Sequence, residues 1–176
     1  QATSAATIIH ESALPDLIRI LKEGGLKKEA RQVASAIVAG RPFENTKAFA
    51  DCVRPICERF ERGKQRDAAT LVFQAIRMAV NEERSQIIAL LELVPGIVVS
   101  GGKFVCISFH SNEDALVAKV MRKWQGSEQM PALHPDYRPA KVLGTLHSKK
   151  ALVPSTQELA ENVRSRSARM RVFEFF

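Results

Sequence analysis

Lys103-Phe104-Val105-Cys106-Ile107-Ser108-Phe109-His110-Ser111-Asn112-Glu113-Asp114 is the stretch whose reading decides the fold. Gly101-Gly102, just before it, is a turn signal. Phe104, Val105, Cys106, Ile107 and Phe109 then form a short, nearly continuous apolar run, the pattern of a strand buried on both faces. The run gives way to Ser108, His110 and Ser111, and Ser111-Asn112-Glu113-Asp114 reads as a helix start. Ser111 can accept from the free backbone N–H groups there, and Asp114 suits the positive end of the helix. A buried strand that ends in polar side chains and turns into a helix is where open α/β sheets hold their ligands. An ordinary strand–helix joint has the same local pattern, so the stretch speaks for a fold class before it speaks for a function.

Upstream, the chain reads as helix. Ala68 to Leu93 carries Phe73, Ile76, Val80, Ile87, Ile88 and Leu91 at helical spacing, with a joint at Asn81-Glu82-Glu83 and an end at Pro95-Gly96. Ile97-Val98-Val99 fits either a helical turn or a short strand. The polar run 61–67, ERGKQRD, makes a boundary. Before it, three helices are expected. One can start at Ser4 or Ser12, residues 1–13 being weakly patterned, carries Pro15 in a first turn and stops at Gly24-Gly25. One spans Leu26 to Ala39 with the stripe Ala30, Val33, Ala34, Ile37 and Val38. The third runs from about Lys47 to Phe60, where Pro55 predicts a kink or a break. Downstream, a helix is expected from Asn112 to Trp124, then an irregular connection over 125–140 with Pro131, Pro135 and Pro139. Val142–Leu146, Lys150–Val153 and Met170–Phe176 are candidate strands, and Ser155 with Glu158 suits a short capped helix. The pattern divides the chain into an all-helical part, 1–63, and an α/β part, 64–176.

Composition narrows the function. With 176 residues, 45% of them hydrophobic, the chain can bury a core as one domain or as a domain carrying an insertion. No run of 18 or more apolar residues exists, so no membrane partner is expected. The chain opens on Gln1, as a processed, truncated or partial chain would. Cys52, Cys57 and Cys106 have no zinc-type spacing, and an odd count speaks against a disulfide framework and for a reducing compartment. The four His are scattered, and no metal site is expected. Net charge is +7, and from Arg138 to Arg171 eight basic residues face only Glu158 and Glu161. That concentration fits a polyanion partner, nucleic acid above all; a solvated basic tail has the same composition.

Four separated stretches carry a resemblance. Ala69–Glu83, ATLVFQAIRMAVNEE, is similar to TRTFQALRIAVNDEL of the MraW family of small-subunit rRNA cytosine-N4 methyltransferases. Gly101–Asp114, GGKFVCISFHSNED, resembles that family's GGRLVVISFHSLEDR. Lys149–Arg171, KKALVPSTQELAENVRSRSARMR, resembles KPxxPSxxExxxNPRARSAKLR, and GLKKEARQVASAIV resembles GEERFAKRIARAIV. Order and spacing agree, and the resemblance covers nearly the whole chain. Two family Arg positions are Leu71 and Ala115 here, and a family Pro is Val163. Arg supplies planar, multi-donor contacts that Leu and Ala cannot.

The resemblance implies an α/β fold, namely part of an S-adenosylmethionine-dependent methyltransferase-like (Rossmann-like) sheet carrying an all-helical inserted subdomain. Residues 1–63 would be the inserted subdomain and 64–176 the C-terminal half of the methyltransferase-like domain. The family's Gly-rich cofactor loop has no counterpart in this sequence, so S-adenosyl-L-methionine is implied by resemblance with no binding residues assigned. Ser108, His110 and Ser111 are implied as the catalytic edge, and Arg164, Arg166 and Arg169 as RNA-binding residues. A backbone hydrogen bond is an equal account of His110, and helix-dipole complementation is the simpler one for Glu113 and Asp114. Phe73, Gln74 and Trp124 read as packing. The implied function is methylation of a cytosine N4 in small-subunit rRNA, this chain carrying the RNA-facing half. The alternative is a catalytically degenerate factor that binds pre-ribosomal RNA during small-subunit assembly, and a third reading is a homo- or hetero-dimer with a methyltransferase paralogue. The drifted motifs lean towards a mitochondrial location, with the bacterial cytoplasm as the alternative.

Overall fold

Ser4 opens the first helix by accepting the amide of Thr7 at 3.0 Å. The computed structural model describes residues 3–60, 67–126 and 141–176. The chain forms two compact units, 1–84 and 85–176.

The first unit is helical throughout its described residues: α1 (Ala5–Glu11), α2 (Leu14–Glu23), α3 (Ala30–Ala39), α4 (Thr46–Phe60) and α5 (Thr70–Val80). Their apolar stripes make one core of Leu17, Leu21, Leu26, Val33, Ile37, Phe49, Val53, Val72 and Ile76. α5 belongs to this core, with Val72, Ala75 and Ile76 buried in it. The core therefore extends past the boundary read at 61–67, of which all but Asp67 lies outside the described residues. Pro55 neither breaks nor ends α4. A proline removes one intrahelical bond, and Phe49, Ala50, Val53 and Cys57 hold both sides of it to the same core. α5 stops at Val80, and Glu82 takes a positive φ of 51° at the expected joint.

α6 (Glu83–Ile97) runs through Pro95-Gly96, where an end was expected, because Val94 still accepts the amide of Val98 at 3.1 Å. The second unit then holds β1 (Lys103–Ser108), α7 (Ser111–Trp124), β2 (Gly144–Leu146), α8 (Thr156–Glu161), a 3-10 turn (Val163–Ser167) and β3 (Arg169–Phe175). The sheet order is β1-β3-β2, with β3 antiparallel to both neighbours. The C-terminal strand is thus the centre of the described sheet. Phe104 and Cys106 of β1 and Phe173 and Phe175 of β3 pack with Leu91 and Val94 of α6 and Val117, Met121 and Trp124 of α7.

β1 departs from the reading of a strand buried on both faces. Its residues alternate, and Val105 and Ile107 are 52% and 57% exposed. α6 and α7 contribute to a core on one side of this strand, and nothing among the described residues covers the other. The expected connection at 125–140 lies outside the described residues from 127 onward.

Candidate nucleic-acid interface at the end of the first strand

β1 ends at Ser108, which is buried. His110 is the residue that caps α7, and the carboxylate of Glu113 reaches back to accept from the amides of Phe109 and His110, each at 3.3 Å. This capping box satisfies amides that a helix leaves unpaired at its start. Ser111, expected as the cap, is instead the first residue of α7 and is exposed.

One turn into α7 sits the buried Asp114, 4% exposed. An isolated carboxylate there would be costly to charge, so its partners decide its state. Arg171 meets it with a two-pronged contact: Nε donates to Oδ1 at 2.6 Å and Nη2 to Oδ2 at 3.0 Å. Arg169 adds Nη1 to Oδ2 at 3.4 Å. Burial pushes the Asp114 carboxyl upward, but the Arg171 hydrogen bonds and the charges of Arg171 and Arg169 outweigh it and leave the pKa below the usual aspartate value. Cys106 faces the opposite shift: burial, then the charges of Glu113 and Asp114, raise its thiol pKa. That keeps it protonated and unsuited to nucleophilic work.

The register explains why Asp114 meets two arginines. Ser108 pairs with Arg169 and Cys106 with Arg171, so both arginines share the face of β3 that α7 covers. Arg171 also donates from Nη1 to the carbonyl of Lys149 at 3.3 Å. Lys149 belongs to a bulge: Leu146 pairs with Phe173 and Leu152 with Met170, so residues 147–151 stand opposite only Arg171 and Val172. The bulge is pinned by the His147 amide on the carbonyl of Val172 at 3.0 Å and by Arg171 on Lys149. Lys149 and Lys150 are exposed on it.

The 3-10 turn that leads into β3 carries the other arginines. Asn162 starts it by accepting the amide of Arg164 at 3.1 Å, and Ser165 is buried with Oγ donating to the Asn162 carbonyl at 2.8 Å. Arg164 and Arg166 flank this anchor with exposed side chains. Arg166 Nη1 reaches the carbonyl of Val163 at 3.4 Å.

The structure therefore brings Ser108, His110, Ser111 and Arg169 to one end of β1, while Arg164 and Arg166 lie on the adjoining turn. Arg169 and Arg171 pair with Asp114, and Glu161 accepts from Gln157 at 3.0 Å. Sequence reading counts Arg171 in the cationic segment and assigns it no role; the i, i+2 spacing puts it on the same strand face as Arg169, and what the sequence does not show is its partner, Asp114.

A cavity of about 430 Å³ in the first unit is lined by Phe43, Phe49, Phe73, Ile76 and Val80, with His10 and Arg77 also on its wall. His10 stacks on Phe43 at 6.2 Å and accepts its amide at 3.1 Å. Phe73 is thus both a core contact of Phe49, at 5.3 Å, and a wall of this cavity.

A small antiparallel sheet packed against helices, with polar residues at a strand end and a cationic segment beside them, defines an α/β protein with a candidate site at the end of β1. The MraW methylase family matches residues 1–176, and the chain belongs to it. The chain is 35% identical over 177 residues to the ribosomal RNA small subunit methyltransferase H of Aliarcobacter butzleri, covering 99% of this chain and 58% of that protein. It is 36% identical over 175 residues to the protein of that name from Lawsonia intracellularis, covering 95% and 55%. For the one from Shewanella denitrificans the figures are 37% over 181 residues, 99% and 56%. The chain thus spans a little over half the length of these relatives. They are bacterial proteins, compatible with the bacterial-cytoplasm alternative, and they lend the mitochondrial lean no support. No described helix is long and apolar enough to cross a membrane.

Proposed function

We propose that this chain is the RNA-facing part of an S-adenosylmethionine-dependent methyltransferase acting on a cytosine N4 of small-subunit rRNA. The observation that carries the reading is the match of the whole chain to a methylase family whose compared relatives are named as small-subunit rRNA methyltransferases. No observation favours the non-catalytic alternative.

The described residues do not fit the cofactor by themselves. Gly24, at the end of α2, is packed against Ala75, where a Cβ would fall 2.1 Å from the Ala75 Cβ, and Gly101-Gly102 precedes β1 at the end away from Ser108. Neither lies where a strand turns into a helix, the arrangement that cradles a nucleotide. On this reading the donor is held by chain that completes the sheet. The open side of β1, with Val105 and Ile107 exposed, supports that division, as does the length of the relatives. The helical unit then stands as a subdomain inserted ahead of this half.

The chain's own residues are left the RNA side of the task. A cytosine amine is a weak nucleophile because its lone pair is delocalised into the ring, so orientation is the main lever. The base must also leave its stack. Ser108, His110 and Ser111 supply donors and acceptors at the strand end, and Arg164, Arg166 and Arg169 supply cations for the phosphates. Binding of a small-subunit rRNA fragment across a salt series tests the reading. Changing Arg164, Arg166 and Arg169 together to Ala should weaken binding and lower the salt slope by about 0.7 per lost phosphate contact on single-stranded RNA. A parent chain with no salt-dependent affinity, or a triple variant with the parent's slope, sinks it.

A further inference from the structure

We infer that Asp114 is a positioning residue: through its two arginines it builds a phosphate-binding face from Arg169 and the Lys149–Lys150 bulge. The inference rests on the RNA-binding reading above and assigns that function to particular groups. The arginines of the basic segment are unequal. Arg171 is only 10% exposed in its side chain, and it spends two nitrogens on Asp114 and one contact on the Lys149 carbonyl. Three of its five N–H donors are spent on the protein and its side chain is nearly buried, which makes it a strut. Arg169 gives Asp114 one long contact and is 46% exposed, so most of its five N–H donors remain for a ligand.

The strut acts on the bulge. Five residues opposite two cannot follow the ladder, and such a loop would sample many conformations if left alone. Arg171 fixes it at the carbonyl of Lys149, the first of two adjacent exposed lysines. A cationic loop held before binding loses less entropy when a phosphate arrives. One carboxylate thus orients Arg169 directly and the lysine bulge through Arg171, joining α7, β3 and the bulge.

The sign of the effect separates positioning from simple charge. Asp114 is negative and lies beside the cations, so by charge alone its removal should tighten RNA binding and leave the salt slope at least as steep. Positioning gives the reverse. The test compares the full chain with Asp114→Asn, and with the exposed pair Lys149→Ala/Lys150→Ala, for binding to a small-subunit rRNA fragment over a salt series. Circular dichroism checks that each variant is folded. Asp114→Asn is expected to bind more weakly at low salt, with the slope reduced by about 1.4, two phosphate contacts' worth. The lysine pair is expected to lose a similar slope. Tighter or unchanged binding by folded Asp114→Asn overturns the positioning role while the parent's salt-dependent affinity keeps the RNA reading. A parent without that affinity overturns the RNA reading itself. If Asp114→Asn does not fold, the lysine pair decides alone, and an unchanged slope there overturns the inference.

Discussion

At the scale of single residues, the second unit is fastened by one buried charge. Removing one partner of a buried ion pair leaves the other uncompensated, at a typical cost of about 3–5 kcal/mol. Arg169 stays near Asp114, so Arg171→Ala is expected at the lower end, about 3 kcal/mol in a urea melt. Exposed Arg164→Ala should stay within about 0.5 kcal/mol. Equal losses for the two would remove the distinction between strut and contact. The same carboxylate sets an acid limit. Its folded pKa is depressed, so its stabilising contribution is fully present above the ordinary aspartate value of 3.8 and is lost as the pH falls through the lower folded value. Stability measured from neutral pH down past 3.8 should therefore fall more steeply for the parent than for Arg171→Ala. Parallel curves would mean that the pair carries no linkage.

At the scale of elements, helices with a clean 3.6-residue stripe were legible: α2, α3 and α7 fall close to where their apolar positions recur. What sequence reading missed has physical causes. A proline fixes a local penalty, while the core on both sides decides whether the helix continues, which is why Pro55 and Pro95 misled. The strand Arg169–Phe175 alternates poorly because its inward positions include two arginines whose charges are met by Asp114, a pairing that becomes visible only once α7 lies on the sheet. Of the candidate site, the strand end and its polar residues were legible, whereas the cap moved from Ser111 to His110 because Glu113 completes the box from inside the helix. Close packing between elements is invisible to periodicity altogether. Gly24 ends α2 at φ −76°, ordinary for any residue, yet a Cβ there would lie 2.1 Å from that of Ala75 and 2.5 Å from its Cα. Gly24→Ala should therefore cost about 1–3 kcal/mol through overpacking, read as a drop in the urea midpoint. A neutral effect would show that α2 and α5 can separate freely.

At the scale of the whole molecule, the second unit exposes apolar surface on a strand. Val105 and Ile107 lie on the uncovered side of β1. Because they are already exposed, Val105→Thr with Ile107→Thr should leave this chain's stability within about 0.5 kcal/mol. Buried Leu91→Ala, by contrast, should cost about 2–5 kcal/mol. In a protein of the relatives' length, chain packed over that face would turn the neutral pair into a costly one. Urea melts of the pair in both backgrounds check this, and neutrality in both would leave the face uncovered in the longer protein too.

Trp124 is the chain's one tryptophan, and it lies in the second unit's core against Phe173 at 5.3 Å and Phe175 at 5.4 Å. The protein thus carries an optical label in one of its two units. Tryptophan emission follows the unit that holds the sheet, while far-ultraviolet dichroism is weighted towards the helical unit. If the two signals change at the same denaturant concentration, the units melt as one cooperative body; if they separate, each unit holds its own stability, and every variant above can be assigned to the unit whose signal it moves.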